Sequence, residues 1–491
     1  MRISRRWMLG ALLGSVAAPA LPVFADAPAT SPRPMRRGGP APVVREAEEL
    51  VAEARLGGSI GFVVADAATG EVLEQSDGAL PLPPASVAKA VTALYALEAL
   101  GAEYRYATQI LGTGPVVGGV VQGDLVLAGS GDPTLSTDAL GDLAARLRAA
   151  GVTGITGRYI AHAGALPAVT AIDAEQPDHV GYNPAISGLN LNYNRVYFEW
   201  RRAGSDYQVT MDARAERFVP KVSMARMQVV SRDLPVYTYA AAQGSDNWTV
   251  ASTALGKGGS RWLPVRHPEA YAAEVFQTLA KAQGIELPAA QLVRVRPEGA
   301  VLASWESVPL RLILQDMLKF STNLTAEVVG LTASGAGSLE ESAKAMNLWA
   351  AARFGIAPEF HDHSGLGGGS RISAADMVTA LVRAQSTLTG AELRGLLREV
   401  GLRDAKGREQ RNAAVRVQAK TGTLNFVSGL AGHARAGEGR DMVFAIFCAD
   451  PERRDRLTLA EREQPPGGRA WAGRARLLQS RLIERWIAVH G

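Results

Sequence analysis

Three short motifs, widely separated along the chain, place the strongest constraint on its fold. They are SVAK at 86–89, STN at 321–323 and KTG at 420–422. Between them they supply a serine hydroxyl with a nearby amine, a second hydroxyl with an amide, and a second amine beside a glycine. These groups can act on one substrate only if the fold brings them to a single cleft. The sequence therefore predicts that the long intervening segments fold so as to return the chain to one site.

The first motif has the spacing of a serine nucleophile and its base. Ser86 and Lys89 are three residues apart, so a helix that begins near Ser86 places both side chains on one face. Burial and nearby cations shift a lysine toward its neutral amine, which can accept the serine proton. We therefore predict acyl transfer through an ester at Ser86 with Lys89 as the base. An isolated Ser-x-x-Lys is usually a helix cap followed by a solvated lysine, and the other two motifs favour the catalytic interpretation.

The second motif lies between two predicted helices, 310–318 and 324–332. A tight corner between helices can direct Ser321 and Asn323 into one cleft. Ser321 would relay a proton to the leaving amine, and Asn323 would hydrogen-bond the substrate amide and the lysine. A helix cap is the alternative interpretation.

The third motif follows a strand-like run that contains Val415. Lys420 supplies positive charge for a substrate carboxylate, and Gly422 allows another chain segment to approach closely. Thr421 and Thr423 offer hydroxyl donors, and the Thr423 N–H is a candidate oxyanion donor together with the N–H of the serine nucleophile. The alternative is an exposed lysine that protects an edge strand from aggregation.

The distribution of helix-like and strand-like segments along the sequence predicts an interrupted catalytic domain. Helical periodicity and β-branched runs characterise residues 45–103 and 262–491, which we assign to one discontinuous domain. Residues 104–261 consist mainly of short strand-like runs separated by glycine-rich turns, which predicts an insertion of one or two small β-rich domains. Residues 26–44 are rich in proline, alanine and arginine and are expected to form a flexible lead-in.

The first residues have the composition of an export signal. Residues 1–25 open with basic residues that include an arginine pair, continue as an uncharged apolar run and end at small residues. This order predicts a secretory leader, and the arginine pair resembles a twin-arginine signal. We expect cleavage after Ala25 or Ala27 and a periplasmic mature protein without a transmembrane anchor. An uncleaved anchor is the alternative, which two prolines within the run disfavour.

Composition and charge exclude several other classes of protein. The 491 residues are 47% hydrophobic and 20% charged, as expected of a globular chain of two or three domains. The formal net charge is +4, and three positive charges lie in the predicted leader. Since there is no concentrated basic stripe, we expect no nucleic-acid partner. Cys448 is the single cysteine, so an intramolecular disulfide is impossible.

Three other patterns resemble catalytic or metal-binding motifs, but their sequence context does not support that function. Ser-Asp-Asn at 245–247 also fits the middle motif, but it lies in a polar turn before a strand-like run. Gly-Gly-Ser-Ile-Gly at 57–61 has nucleophile-elbow spacing around Ser59, yet the predicted order of helix, serine and strand is the reverse of that motif. His361 and His363 flank an aspartate without a further ligand cluster, so we expect no metal site. No cofactor is expected, because the protein supplies nucleophile, base and oxyanion donors.

Taken together, the motifs resemble those of the D-alanyl-D-alanine carboxypeptidase/endopeptidase family, the class C low-molecular-mass penicillin-binding proteins. The resemblance runs from about residue 50 to residue 450. Its marks are PASVAK at 84–89, GDPTL at 131–135, SVPL at 307–310, STN at 321–323 followed by Ala326 and Glu327, and KTGTL at 420–424. The long separation of the first two motifs is also similar to this family, whose members carry domains inserted there.

The resemblance implies an α+β fold: a transpeptidase/β-lactamase-like domain whose five-stranded antiparallel sheet is covered by helices, with the β-rich insertion. It implies a peptidase of peptidoglycan stem peptides and cross-links that β-lactam antibiotics acylate at Ser86. It also implies Lys89 as base, Ser321 and Asn323 as relay and substrate contacts, and Lys420 as electrostatic anchor.

The loop at 362–371 departs from the family pattern. His363 stands where glycine is usual, and three glycines at 367–369 lengthen the loop. Substrate preference is therefore open, as are the balance of carboxypeptidase and endopeptidase activity and the oligomeric state.

Three rival functions stay open. A β-lactamase would share the acylation step, but neither a Glu-x-x-Leu-Asn nor a Tyr-x-Asn pattern of the known classes is present. A non-catalytic peptidoglycan-binding scaffold would not need all three motifs intact. A lipase-like hydrolase that uses Ser59 would need a paired histidine and acid, which the sequence does not identify.

Overall fold

The computed structural model describes residues 44–242, 244–404, 406–410 and 415–491. The predicted leader at 1–25 and nearly all of the predicted lead-in lie outside these ranges. Within the described residues the helices are α1 (Ala47–Ala54), α2 (Ala88–Leu100), α3 (Thr137–Ala149), α4 (Pro268–Ala282), α5 (Leu310–Phe320), α6 (Asn323–Ser334), α7 (Leu339–Phe354), α8 (Ala374–Gln385), α9 (Leu388–Leu396), α10 (Pro451–Asp455) and α11 (Gly468–His490). None of these helices combines the length and the apolar composition that a bilayer crossing requires.

The strands of the described residues form several sheets of different size. They are β1 (Ser59–Asp66), β2 (Val72–Ser76), β3 (Ala107–Gly112), β4 (Val116–Val117), β5 (Val120–Val121), β6 (Leu125–Ala128), β7 (Gly154–Ile155), β8 (Tyr159–His162), β9 (Arg195–Ala203), β10 (Asp206–Asp212), β11 (Ala225–Val230), β12 (Tyr237–Ala242), β13 (Ser245–Ala251), β14 (Gly258–Pro264), β15 (Ala290–Val293), β16 (Ala300–Glu306), β17 (Leu402–Arg403), β18 (Glu409–Gln410), β19 (Val415–Leu424), β20 (Val427–Ala436) and β21 (Asp441–Ala449).

One sheet joins the two ends of the described chain. It has five strands in the order β19-β20-β21-β1-β2, and every neighbouring pair is antiparallel. Side chains alternate between the two faces of a strand. In β1, Val63 therefore joins the core beneath α2, α5 and α6, whereas Phe62 joins the core beneath α1 and α11. The predicted α+β class, with an antiparallel sheet covered by helices, is confirmed.

Helix α2 lies at the centre of the larger core. All ten residues from 88 to 97 are buried, so the helix has no solvated face over this length. A helix that is apolar on all sides is stable only when other elements surround it. The N-terminal turn of α2 consequently carries the first motif into the interior next to the sheet.

The inserted region has its own sheets and its own core. Its largest sheet has five strands in the order β15-β8-β6-β3-β16. Two three-stranded sheets have the strand orders β10-β9-β14 and β11-β13-β12. Strand β16 pairs with β3, and one continuous core extends from Ile110 to Ala303. On this pairing we propose that the insertion extends to about residue 306 rather than to the predicted 261.

Candidate active site

A tight turn presents the first motif at the start of α2. Residues Ala85–Val87 form a three-ten turn that continues directly into the helix, and Ala85 adopts a φ of 47°, which is strained for a residue with a Cβ. Lys89 follows in the first helical turn, and its Nζ lies 2.9 Å from the Ser86 Oγ. The structure thus places the predicted nucleophile and base in direct contact.

A glycine lets strand β19 approach this turn. A Cβ on Gly422 would lie 2.6 Å from the carbonyl oxygen of Pro84 and 3.0 Å from the backbone nitrogen of Ser86. No real side chain tolerates the first of these distances, so only glycine allows the contact. The Ser86 N–H and the backbone of β19 therefore lie side by side.

The second motif forms a corner between α5 and α6. Ser321 ends α5 with a φ of 60°, in the left-handed region, and α6 begins at Asn323. The Asn323 Oδ1 accepts a hydrogen bond from the Lys89 Nζ at 2.8 Å, and its Nδ2 donates to the Tyr182 carbonyl at 2.9 Å. The corner thus contacts the lysine on one side and the insertion on the other.

Lys420 connects the third motif to this corner. Its Nζ donates to the Ser321 Oγ at 2.9 Å and to the Thr421 carbonyl at 2.7 Å. The side chain is buried, and burial, the charge of Lys89 and the charge of Arg398 hold its pKa well below the usual value. Because the two lysines repel each other, a neutral Lys89 favours a charged Lys420.

Lys89 is completely buried, with three polar neighbours around its amine. Besides the two contacts given above, its Nζ donates to the Ser364 carbonyl at 2.8 Å. Burial lowers the pKa of Lys89 to about 7, against the opposing charges of Glu327 and Asp362. A neutral amine has two N–H groups and one lone pair. Asn323 and Ser364 can accept the two N–H groups, which leaves the lone pair for the serine hydroxyl.

The edge of β19 that faces away from β20 offers a backbone donor to the cleft. Val400 donates to the Val417 carbonyl at 2.9 Å, and Ala419 donates to the Arg398 carbonyl at 3.1 Å, so alternate residues of β19 face this edge. By the same alternation the N–H and carbonyl of Thr423 face the edge. The side chain of Thr423 is exposed.

One cleft of about 890 Å³ is lined by four predicted site residues: Ser86, Ser321, Asn323 and Thr423. Of the other four predicted residues, Lys89 and Lys420 are buried behind it. Thr421 hydrogen-bonds Arg398 at 3.3 Å and Gly422 packs against the serine turn. All eight therefore belong to one constellation.

A segment that we call the strap, residues 456–467, forms the outer wall of the cleft. Arg462 donates to the Glu175 carbonyl at 2.6 Å, and its own carbonyl accepts from the Asn425 Nδ2 at 2.6 Å. Glu463 pairs with Arg261 at 2.6 Å and with a histidine of the insertion at 2.7 Å. The strap thus spans from the end of β19 to the insertion.

A second segment, the buried loop (residues 362–366), lies behind the lysine. Glu327 accepts hydrogen bonds from the N–H groups of His363 and Ser364, both at 2.9 Å. In the sequence, Glu327 is a mark of the family resemblance, and the three motifs do not indicate its position at the site. The signal present in the sequence was its spacing of four residues from Asn323, which places both on one helix face.

The two histidines that flank Asp362 have very different surroundings. His363 is buried between the Ser342 hydroxyl, at 2.6 Å from its Nε2, and the Met346 sulfur, at 3.3 Å from its Nδ1. Burial lowers the pKa of His363 to about 3, so this imidazole is neutral. His361 is exposed. Among the described residues no cluster of three or more potential metal ligands occurs.

Two alternative motifs lie elsewhere in the fold. The sequence places the triplet at 245–247 in a turn, but it begins β13, since β12 pairs with it from Ser245 onward and β11 from Asp246 onward. Its aspartate, Asp246, contacts His267 at 2.8 Å within the insertion. Ser59 is the first residue of β1, after helix α1, so it lacks the strand-to-helix geometry of a nucleophile elbow.

Comparisons with known proteins find similar sequences over most of the chain. The chain matches the D-Ala-D-Ala carboxypeptidase 3 (S13) family over residues 43–464. A D-alanyl-D-alanine carboxypeptidase of Actinomadura sp. (strain R39) is 30% identical over 427 residues, which cover 79% of this chain and 77% of that protein. A carboxypeptidase of Mycobacterium tuberculosis is 26% identical over 420 residues, with 79% and 76% of the two chains covered.

Among solved structures, penicillin-binding protein 4 from Haemophilus influenzae has a similar fold. The TM-score is 0.73 at 21% identity, and the match covers 89% of this chain and 99% of that protein. A second structure of the same protein, in complex with a β-lactam, matches with a TM-score of 0.71.

Proposed function

The chain belongs to the D-Ala-D-Ala carboxypeptidase 3 (S13) family, and from this premise we propose how it acts on bacterial peptidoglycan. It is a serine peptidase that removes the terminal D-Ala of stem peptides or cuts D-Ala-linked cross-links, and β-lactams acylate it. The family match and the carboxypeptidase relatives support this activity. The contact between the Lys89 amine and the Ser86 hydroxyl is the observation that carries it.

Acylation starts at the Ser86 hydroxyl. Its Oγ attacks the carbonyl carbon of the penultimate D-Ala while the neutral amine of Lys89 takes the hydroxyl proton. The oxyanion forms between the N–H of Ser86 and the N–H of Thr423, which the close packing at Gly422 brings together. A preorganised donor pair of this kind contributes about 3 kcal/mol of transition-state stabilisation per donor.

The leaving group departs toward Ser321 and Lys420. Lys420 donates to the Ser321 Oγ, so the hydroxyl hydrogen of Ser321 is free to protonate the leaving nitrogen. Ser321 receives in return the proton that Lys89 took from Ser86, which restores the Ser321 hydroxyl and the neutral amine of Lys89. The C–N bond breaks, D-Ala leaves as an amine, and the shortened peptide remains as an ester on Ser86. Lys420 and Thr421 hold the carboxylate of the leaving D-Ala. Water then hydrolyses the ester and restores the serine hydroxyl.

The test is covalent labelling of the mature protein by a fluorescent penicillin, read by intact mass. We expect one adduct on the wild type, none on Ser86→Ala, and an unchanged adduct on the control Ser59→Ala. D-Ala release from a stem pentapeptide is measured in parallel and should disappear with Ser86→Ala. An adduct that persists on Ser86→Ala, or no adduct on the wild type, contradicts the proposal.

The same experiment separates the rival functions. Rapid loss of the adduct together with turnover of nitrocefin would identify a β-lactamase. Binding of muropeptides without release of D-Ala would identify a scaffold. Loss of labelling in Ser59→Ala would instead favour the lipase-like alternative.

We also propose export to the periplasm by the twin-arginine route. The basic, apolar and small-residue order of 1–25 supports this proposal. Replacement of Arg5 and Arg6 by lysine should keep the precursor in the cytoplasm, measured by fractionation. Unchanged export of that variant contradicts the twin-arginine route.

A further inference from the structure

A buried carboxyl group lies directly behind the proposed base. Glu327 is in α6, one helical turn after Asn323, and its side chain has no exposure to solvent. Its two oxygens accept the N–H groups of His363 and Ser364. A buried carboxylate is costly unless neighbouring groups satisfy it, so its retention at this position calls for an explanation.

The contacts of Glu327 lead to the lysine through the buried loop. Glu327 holds the N–H of Ser364, and the carbonyl of Ser364 accepts the Lys89 Nζ at 2.8 Å. The neighbouring His363 is held twice, by Glu327 at its N–H and by the Thr92 hydroxyl, 2.6 Å from its carbonyl. One carboxyl group thus holds the two peptide units that immediately precede the Ser364 carbonyl, which is the group that binds the lysine amine.

Three charged groups interact with Lys89 from the elements packed around it, and a fourth titratable group, His363, is the neighbour of one of them on the buried loop. Glu327 lies on α6, Asp362 and His363 on the buried loop, and Lys420 on β19. Asp362 is held by the N–H groups of Gly365 and Gly367. The histidine is neutral, so the two carboxyl groups oppose the burial that favours the neutral lysine.

We propose that Glu327 is a positioning residue for Lys89: it anchors Ser364, whose carbonyl holds the amine, and it places a negative charge behind the base. This inference rests on the proposed function, in which Lys89 takes the Ser86 proton. It assigns no contact of Glu327 with the substrate.

The test is the pH profile of acylation by penicillin in Glu327→Gln. Removal of the negative charge lowers the proton affinity of Lys89, so the acidic limb of the profile should move to lower pH by about one unit. The amide also presents its NH2 to one of the two backbone N–H groups, so the loop loosens and the plateau rate should fall about 10- to 100-fold. Glu341→Gln, the same change on an exposed residue, is the control and should leave both quantities unchanged.

Glu327→Asp separates charge from position. It keeps the charge but withdraws the carboxylate from the buried loop, so the plateau rate should fall while the acidic limb stays within about 0.3 units of the wild type. This variant also answers the question if Glu327→Gln does not fold. An unshifted limb in Glu327→Gln, or an equal shift in both variants, would overturn the inference. A wild type that penicillin never acylates would instead refute the proposed function.

Discussion

The two walls of the cleft carry charged side chains in very different surroundings. On the inner wall, formed by α2, α6 and the buried loop, Lys89, Glu327 and Asp362 are each at most 3% exposed. On the outer wall, where the strap meets the insertion, the side chains of Glu463 and Arg261 are 33% and 28% exposed. Charged side chains of the same types are therefore excluded from water on one side of the cleft and partly solvated on the other.

Two glutamates, one on each wall, show how this difference in exposure affects the pKa of a carboxyl group. Burial raises the pKa of Glu327 above its usual range, and the nearby charge of Asp362 adds to this effect. Hydrogen bonding to His179, assisted by Arg261, lowers the pKa of Glu463 to about 2 against a smaller opposing effect of burial. The surroundings thus shift the pKa of a glutamate in opposite directions at the two walls. We conclude that the inner wall tunes proton affinity, whereas the outer wall fixes the position of the strap.

The largest effect is expected when the lysine amine of the inner wall is removed. In Lys89→Met the serine has no base, and we expect the acylation rate by penicillin to fall about 10³-fold. The variant should still fold, because Glu327 and Asp362 both have a raised pKa and can take up protons. Stopped-flow labelling measures the rate, and circular dichroism checks the fold.

Lys344→Met is the control for this change. Lys344 forms an exposed ion pair with Glu340 at 2.7 Å, and a fully solvated pair of this kind contributes little to stability. Its acylation rate should equal that of the wild type. Wild-type acylation in Lys89→Met would show that the inner wall does not supply the base.

Local patterns predicted much of the catalytic domain. The helix predicted at 310–318 begins where α5 begins, the helix predicted at 324–332 lies within α6, and the strand predicted after Ser59 is the rest of β1. These segments have clear periodicity and strong boundary residues. The strand-like run that contains Val415 is β19.

The insertion was harder to delimit because pairing is not encoded locally. Strand β16 completes a sheet with β3, although a large part of the chain separates them. The pattern of a short strand indicates that it is half-buried, but not which distant strand it pairs with. The same limit applies to Glu327, whose partners are backbone N–H groups of a loop remote in sequence. The three motifs, in contrast, carry their chemistry in their own side chains.

A second prediction tests how tightly the inner wall is packed. A Cβ on Gly330 would lie 2.2 Å from the ring of His363, so Gly330→Ala should destabilise the protein by about 3 kcal/mol. His363→Gly removes the ring and should relieve this clash in the double variant. Urea unfolding of both single variants and the double variant measures the coupling.

The control for this cycle is a helical glycine in open space. A Cβ on Gly473 in α11 meets nothing within 4 Å, so Gly473→Ala should stabilise the protein by about 0.5 to 1 kcal/mol. Strictly additive effects of Gly330→Ala and His363→Gly would contradict the packing of the ring against the glycine.

The smallest effect is expected on the outer wall, where Glu463→Gln removes one charge from the strap. The exposed ion pair contributes at most about 1 kcal/mol, so unfolding at pH 7 should show a loss of that size or less. Because folding lowers the pKa of Glu463 from 4.5 to about 2, the contribution is present above pH 4.5 and is lost as the pH falls toward 2. Wild type and variant should therefore become equally stable near pH 2, and the acylation rate should change less than about threefold at pH 7. A large loss of acylation in Glu463→Gln would show that the outer wall also takes part in tuning the site, and the distinction between the two walls would fail.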